Sequence, residues 1–402
     1  MSIVVINHYS DGLRDYKKAL ENVSEQIFYI TNKKQENSYR DVFTNRIIFE
    51  NLYEDDNVQK EIEKINDIDK VTHIIATHEF DLEVIGKLRD KLGITGQSES
   101  NALKYRDKYI MKEAVKDLVK VPKFMYVADK SDLRKNAQIL KYPVVVKPFT
   151  GAGSVGVSII HDENELESLD DGIFPLLSEE YITGNEMYHV DGIFHKNKFL
   201  IVKPAKYING CLAFKEDKLV GSMLLDSTNM LYSDLVQKTQ KIIETLGTTA
   251  HPMAFHVEFF YEHGELIFCE IASRGGGGKI NETIREKTGI DLFVESVKAQ
   301  LSENYTLDYD ENLEKQGTYG FVLIPFKSGK LINITRTCPF DWVKKYFIKT
   351  HKIGQTFNGA QYSVSEVVSA IVVGKNEMEV VRRISDFGSW IENNISWEDI
   401  SE

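Results

Sequence analysis

Two consecutive apolar runs in the middle of the chain, residues 255–261 and 265–271, leave little freedom in how they fold. Both are rich in aromatic and β-branched residues, and only Glu262-His263-Gly264 separates them, which predicts a β-hairpin. Each run carries one carboxylate among its apolar residues, Glu258 in the first and Glu270 in the second. Side chains two apart on a strand share a face, so His256 and Glu258 point the same way. An acid left unpaired among Phe255, Val257, Phe259, Phe260, Ile267, Phe268 and Ile271 would be costly. Two glutamates converging across the hairpin instead make an oxygen-rich site suited to Mg²⁺ or Mn²⁺. The competing reading is a pair of solvent-facing acids repelling one another across a sheet.

A second segment supplies the complementary charge. Val144-Val145-Val146 is a stiff β-branched run, so Lys147 stands at the end of a buried strand, where it can aim a compact positive charge at phosphate oxygens. The loop that follows holds Gly151, Gly153, Ser154 and Gly156, a pattern that can turn successive backbone N–H groups inward and lets the loop move. An ordinary hairpin turn with a surface lysine would carry the same letters. Further on, Ser178-Glu179-Glu180-Tyr181-Ile182 ends a strand, with Glu186 beyond it. Backbone groups there can read an adenine edge, and the later carboxylate can accept from ribose hydroxyls; a charged strand edge fits as well. After Glu270 come Arg274 and four glycines, Gly275 to Gly278. A guanidinium beside metal-bound phosphate can steady charge that develops during transfer. Four consecutive glycines cost conformational entropy, which a closely approaching substrate at Gly276 and Gly277 would justify. A simple strand-to-helix linker is the alternative. Together the two segments describe a site for ATP with Mg²⁺.

The rest of the chain sets the frame. Its 402 residues exceed one ordinary core, so two to four domains are expected. Hydrophobic residues at 42% and charged ones at 27% read as globular, and a formal net charge of −12 argues against a general nucleic-acid binder. Cys211, Cys269 and Cys338 lack metal-ligand spacing and suit reduced thiols. No stretch reaches the roughly 20 apolar residues of a membrane helix, and the N-terminal apolar run is too short for a signal peptide, so a cytoplasmic protein is expected. Short apolar runs at 3–6, 27–30, 47–49 and 73–76 alternate with helical patterns, which suggests a small parallel sheet within residues 1–100. Residues 101–118 read as one helix capped by Ser100, and 123–182 as a compact α+β unit.

In order and spacing these motifs resemble the ATP-grasp superfamily of carboxylate–amine ligases. The resemblance covers roughly residues 1–300 and implies an N-terminal Rossmann-like parallel-sheet domain (1–100), a linker helix with a mobile lid subdomain (101–185) and a catalytic subdomain (186–305). Residues 306–402 would extend the substrate side or form a dimer contact in a homodimer. By the same resemblance Lys108 and Lys147 contact nucleotide phosphates, and residues 150–157 form the lid loop. Glu179, Glu180, Tyr181 and Ile182 form the adenine hinge, and Glu186 touches the ribose. Glu258 and Glu270 bind metal, and Arg274 lies near an acyl phosphate. Many members carry Asn-Pro-Arg after the second acid. Here the sequence is Ala272-Ser273-Arg274, which leaves that metal ligand to the Ser273 hydroxyl or to water. His256, Ser273, Gly276 and Gly277 are expected near the substrate, and Lys203 and Lys206 near the γ-phosphate or substrate. Within the superfamily the chain looks closest to bacterial L-amino-acid ligases, which join two amino acids into a dipeptide. A ligase for a non-amino-acid or purine-pathway substrate, or an ATP-binding regulatory module without catalysis, are the other readings.

Overall fold

The computed structural model describes residues 1–184, 186–302 and 304–399. The subdomain limits expected at 185 and 402 fall outside those residues. Strands Ser2–Asn7, Gln26–Asn32, Asn45–Phe49 and Val71–Ile75 form a parallel sheet in the order third, second, first, fourth. Their continuous apolar runs are buried on both faces, as parallel strands require. On one face Val4, Ile6 and Ile30 meet helices Asn57–Ile68 and Leu82–Leu92. On the other, Ile3, Val5 and Tyr29 share a core with Phe293, Val294 and Val297 of helix Leu292–Gln300, which docks this sheet on the rest of the molecule.

The expected helix over 101–118 is in fact two, Glu99–Arg106 and Lys108–Val115. Asp107 leaves the helical conformation (φ −86°, ψ 111°), and its carboxylate accepts from the N–H groups of Tyr109 and Ile110, capping the second helix. The Lys108 N–H is thereby freed to donate to the Phe149 carbonyl at 3.0 Å. The break ties the start of the second helix to the glycine loop.

Four antiparallel strands, Phe124–Val127, Leu176–Glu180, Val144–Lys147 and Ser158–Ile160 in spatial order, form a small sheet backed by helices Lys130–Leu140 and Glu163–Glu167. A larger antiparallel sheet of eight strands runs from Glu265–Ala272 through Met253–Glu262, Glu186–His195, Lys198–Ile208, Val220–Leu224, Thr318–Pro325 and Glu366–Gly374 to Val343–Ile348. Three of its strands therefore come from the last hundred residues. Alternate side chains feed two cores, one with Phe194, Phe255 and Phe259 under helices Tyr232–Leu246 and Glu377–Glu392, the other with Ile193, Ala254 and Ile280. The hairpin turn has two residues, His263 (φ 51°) and Gly264 (φ 83°), between the paired Glu262 and Glu265, which is tighter than the three-residue turn read from sequence. That register sets Glu258 directly opposite Glu270.

Candidate functional site

The register brings the two acids together at the mouth of a cleft between the small and large sheets. About 890 Å³ of space, open mouth included, is lined by Lys108, Lys147, Gly151, Ser154, Glu258 and Glu270 among others. Lys108 Nζ lies 3.1 Å from Glu270 Oε2 and 3.5 Å from the Gly151 carbonyl. Burial alone would push the Glu270 carboxyl up. The Lys108 and Lys147 ammoniums outweigh it and hold the pKa down to about 2, so the group is a carboxylate at any physiological pH. Glu258 Oε1 accepts from the Tyr207 hydroxyl at 2.8 Å and faces His256 Nε2 at 3.3 Å. Glu258 Oε2 and Glu270 Oε1 have no protein partner among the described residues. Two uncommitted carboxylate oxygens on directly paired strands fit a hard divalent cation such as Mg²⁺.

Lys147 is held more firmly than a surface cation. Its ammonium lies 2.8 Å from Glu179 Oε2, while Lys112, fully buried, sits 3.2 Å from Glu179 Oε1 and donates to the Cys269 carbonyl at 2.5 Å. Burial works against all three charges, but mutual attraction prevails for two of them. The Glu179 carboxyl is held down and the Lys147 ammonium is pushed up, whereas burial lowers the Lys112 pKa. Lys112 escaped the sequence reading although it stands four residues after Lys108, on the same helix face. The Glu179 side chain is thus held inside this triad, and Glu179, Glu180, Tyr181 and Ile182 all line the cleft. In the loop Gly153, Ser154 and Gly156 take positive φ of 64°, 63° and 74°, and Lys215 Nζ donates to the Val157 carbonyl at 3.0 Å. Glu186 pairs with Lys206 at 2.5 Å and accepts from the Tyr188 hydroxyl, and Lys203 pairs with Glu314. These three expected contacts are committed to protein partners.

Beneath the acids runs a buried polar chain that the sequence reading missed. Ser222, His189, Asp191, His256 and Glu258 follow one another at 2.6, 2.6, 3.0 and 3.3 Å. Burial opposes charge on His256, but Asp191 and Glu258 raise its pKa to about 10, so an imidazolium supports Glu258. His256 lines neither of the cavities described here. The Gly276 N–H donates to Asp191 at 3.2 Å, and a Cβ at Gly276 would fall 2.7 Å from Asp191 Oδ1 and 2.8 Å from His256 Nδ1. Packing against this chain, within the protein itself, requires the glycine there.

Arg274 connects the acids to the N-terminal sheet. Its Nε pairs with Glu79, which also binds Arg106, while Nη1 donates to the Gly275 carbonyl at 2.8 Å. Glu79 was not foreseen. Ser273 exchanges hydrogen bonds with the Gln97 amide at 2.9 and 3.1 Å. Ser273, Arg274, Gly275 and Gly276 all line a second cavity, between the N-terminal sheet and the catalytic sheet. No helix among the described residues is long and apolar enough to cross a membrane.

Residues 105–278 match the model of the ATP-grasp domain. The chain is 29% identical over 290 residues to an L-arginine-specific L-amino acid ligase of Bacillus subtilis, covering 68% of this chain and 67% of that protein. A crystal structure of an L-amino acid ligase from Bacillus licheniformis superposes with a TM-score of 0.77 at 17% identity over 99% of both chains. The ADP complex of an N5-carboxyaminoimidazole ribonucleotide synthetase superposes with a TM-score of 0.70 at 14% identity, over 98% of this chain and 97% of that one. Residues 105–278 thus form an ATP-grasp domain, in a chain that is similar in sequence and in fold to L-amino acid ligases.

Proposed function

We propose that this ligase joins two L-amino acids into a dipeptide, with release of ADP and phosphate. The observation that carries the reading is the placement of Arg274. It lines the second cavity, while the same strand-to-loop segment presents Glu270 to the phosphate-binding cleft. A carboxylate held beside Arg274 would attack the γ-phosphate, forming an acyl phosphate and releasing ADP. An amine would then attack the acyl carbon, form the C–N bond, lose its proton and expel phosphate. Glu258 and Glu270 would hold Mg²⁺, which when bound neutralises phosphate oxygens. Lys108 and Lys147 add fixed positive charge at the same oxygens, Glu179 and Lys112 keep Lys147 in place, and the loop over 150–157 shields the reactive acyl group from water. No protein nucleophile is required, so positioning and electrostatics supply the acceleration. The likeness to two L-amino acid ligases supports amino acids as substrates.

The test is ADP and phosphate release with Mg-ATP across pairs of free L-amino acids, with product masses recorded. Release that requires amino acids, with a mass equal to the two less water, is expected. Release that needs a different acid or amine would overturn the dipeptide reading, and tight ATP binding without release under any pair would leave an ATP-binding module.

A further inference from the structure

The second cavity has a one-sided charge. About 710 Å³ of space, open mouth included, is lined by Arg14, Arg89 and Arg274 and, among the described residues, by no aspartate or glutamate. Arg274 already has Glu79 as a partner. Arg14 is different. Its guanidinium carbon lies 4.8 Å from the Tyr9 ring centroid and 5.4 Å from that of Phe293, and Nη1 donates to the carbonyl of Leu13. Its Nε is buried without a hydrogen-bond partner, as is the Nε of Arg89, and neither arginine is ion-paired among the described residues. Burial works against the Arg14 charge, but Tyr9, and then Glu282 and Asp291, raise its pKa. Neither acid reaches it. Asp291 pairs with Arg285 and caps helix Leu292–Gln300, and Glu282 pairs with Lys279.

A guanidinium whose buried Nε has no acceptor, and which no carboxylate reaches, is costly unless an anion completes it. A planar fork matches a carboxylate, and Arg14 packs against two rings, Tyr9 and Phe293, that meet edge to face at 81°. Arg14 and Arg89 come from the N-terminal sheet side and Arg274 from the catalytic side, so an anion here spans the two. We infer that this cavity takes a dicarboxylic amino acid of the aspartate or glutamate kind, its reacting carboxylate beside Arg274 and its second carboxylate read by Arg14. Assignment of the reacting end rests on the ligase reading above; assignment of the second carboxylate rests on Arg14 alone.

Calorimetric titration of the full chain, with Mg-ADP present, would compare L-glutamate, L-aspartate, L-glutamine and glycerol 3-phosphate. The same amino acids would be paired with L-alanine in the ADP-release assay. At least one dicarboxylate should bind about tenfold or more tightly than glutamine, because a site built for a charge rejects the uncharged isostere. Arg14→Gln should reduce that ratio by about tenfold, and Arg14→Lys, which keeps the charge and the stem, should retain most of it. Equal binding of glutamine would overturn the inference, as would an unaltered ratio in a folded Arg14→Gln protein. Tighter binding of glycerol 3-phosphate would also overturn it and assign the cavity to phosphomonoesters. Selective dicarboxylate binding without ADP release under any pairing would sustain the cavity assignment while refuting the ligase reading.

Discussion

Replacing Glu79 by glutamine tests whether one buried carboxylate holds the N-terminal sheet, the linker helix and the Arg274 loop in register. Glu79 is 6% exposed and binds both Arg106 and Arg274, so the amide keeps the volume but leaves two guanidiniums without a counter-charge. Breaking a buried pair from one side costs about 3–5 kcal/mol. Both arginines keep a carbonyl partner, Gly151 at 3.4 Å and Gly275 at 2.8 Å, which places the loss near the lower end, about 3 kcal/mol. That is roughly a hundredfold in the equilibrium constant for opening this interface. The pH dependence has a definite sign. Burial would raise the Glu79 pKa, but Arg274 and Arg106 overcome it and hold it below the ordinary value of 4.5. Its contribution is therefore complete above pH 4.5 and is lost as pH falls through the depressed value in the folded protein. Urea unfolding followed by circular dichroism at pH 7 and again near pH 4, with kcat for ADP release measured in parallel, reads all three effects. The variant should unfold at lower urea at pH 7, differ less from wild type at acid pH, and turn over slowly because Arg274 is no longer oriented. An unchanged midpoint together with unchanged kcat would refute the argument.

Glu270→Gln should fold normally and lose about 10²- to 10³-fold in kcat, because a charge facing the cation site becomes a neutral isostere; normal ADP release would remove the metal assignment. The adjacent glycines should behave oppositely. Gly276→Ala meets Asp191, His256 and Ile280 within 2.8 Å and should lose about 1–3 kcal/mol in a thermal melt, whereas Gly275→Ala, with nothing within 4 Å of a Cβ, should melt like wild type. Asp107→Ala removes a cap that accepts two N–H groups and should cost about 1 kcal/mol while raising the KM for ATP, since Lys108 is the first residue of the capped helix. An unchanged KM there would separate the cap from nucleotide binding.

What the sequence revealed and what it hid divide along a physical line. Glu258 and Glu270 were legible because the strands carrying them are joined by a short turn, so their pairing follows from a local register. Lys147 and the glycine loop were legible for the same reason, since a β-branched run fixes the lysine and the glycines follow within ten residues. The helix break at Asp107 was missed because an aspartate flanked by helix formers looks like one more polar position until the backbone turns out of the helix there. Glu79, Lys112 and Asp191 carried no local signal at all. Each takes its meaning from a partner far along the chain, Arg274 at 195 positions, the Cys269 carbonyl at 157 and His256 at 65. The residues proposed to meet nucleotide phosphate and metal thus lie in short motifs, while those that brace them are dispersed. On our proposal, substrate choice belongs with the dispersed set. Arg14 is an unremarkable letter in a polar stretch, and only the docking of the N-terminal sheet on helix Leu292–Gln300 sets it beside Phe293 in a cavity with two other guanidiniums and, among the described residues, no acid. A relative with the same phosphate motifs and a different residue at that position would keep the nucleotide cleft and take a different acid.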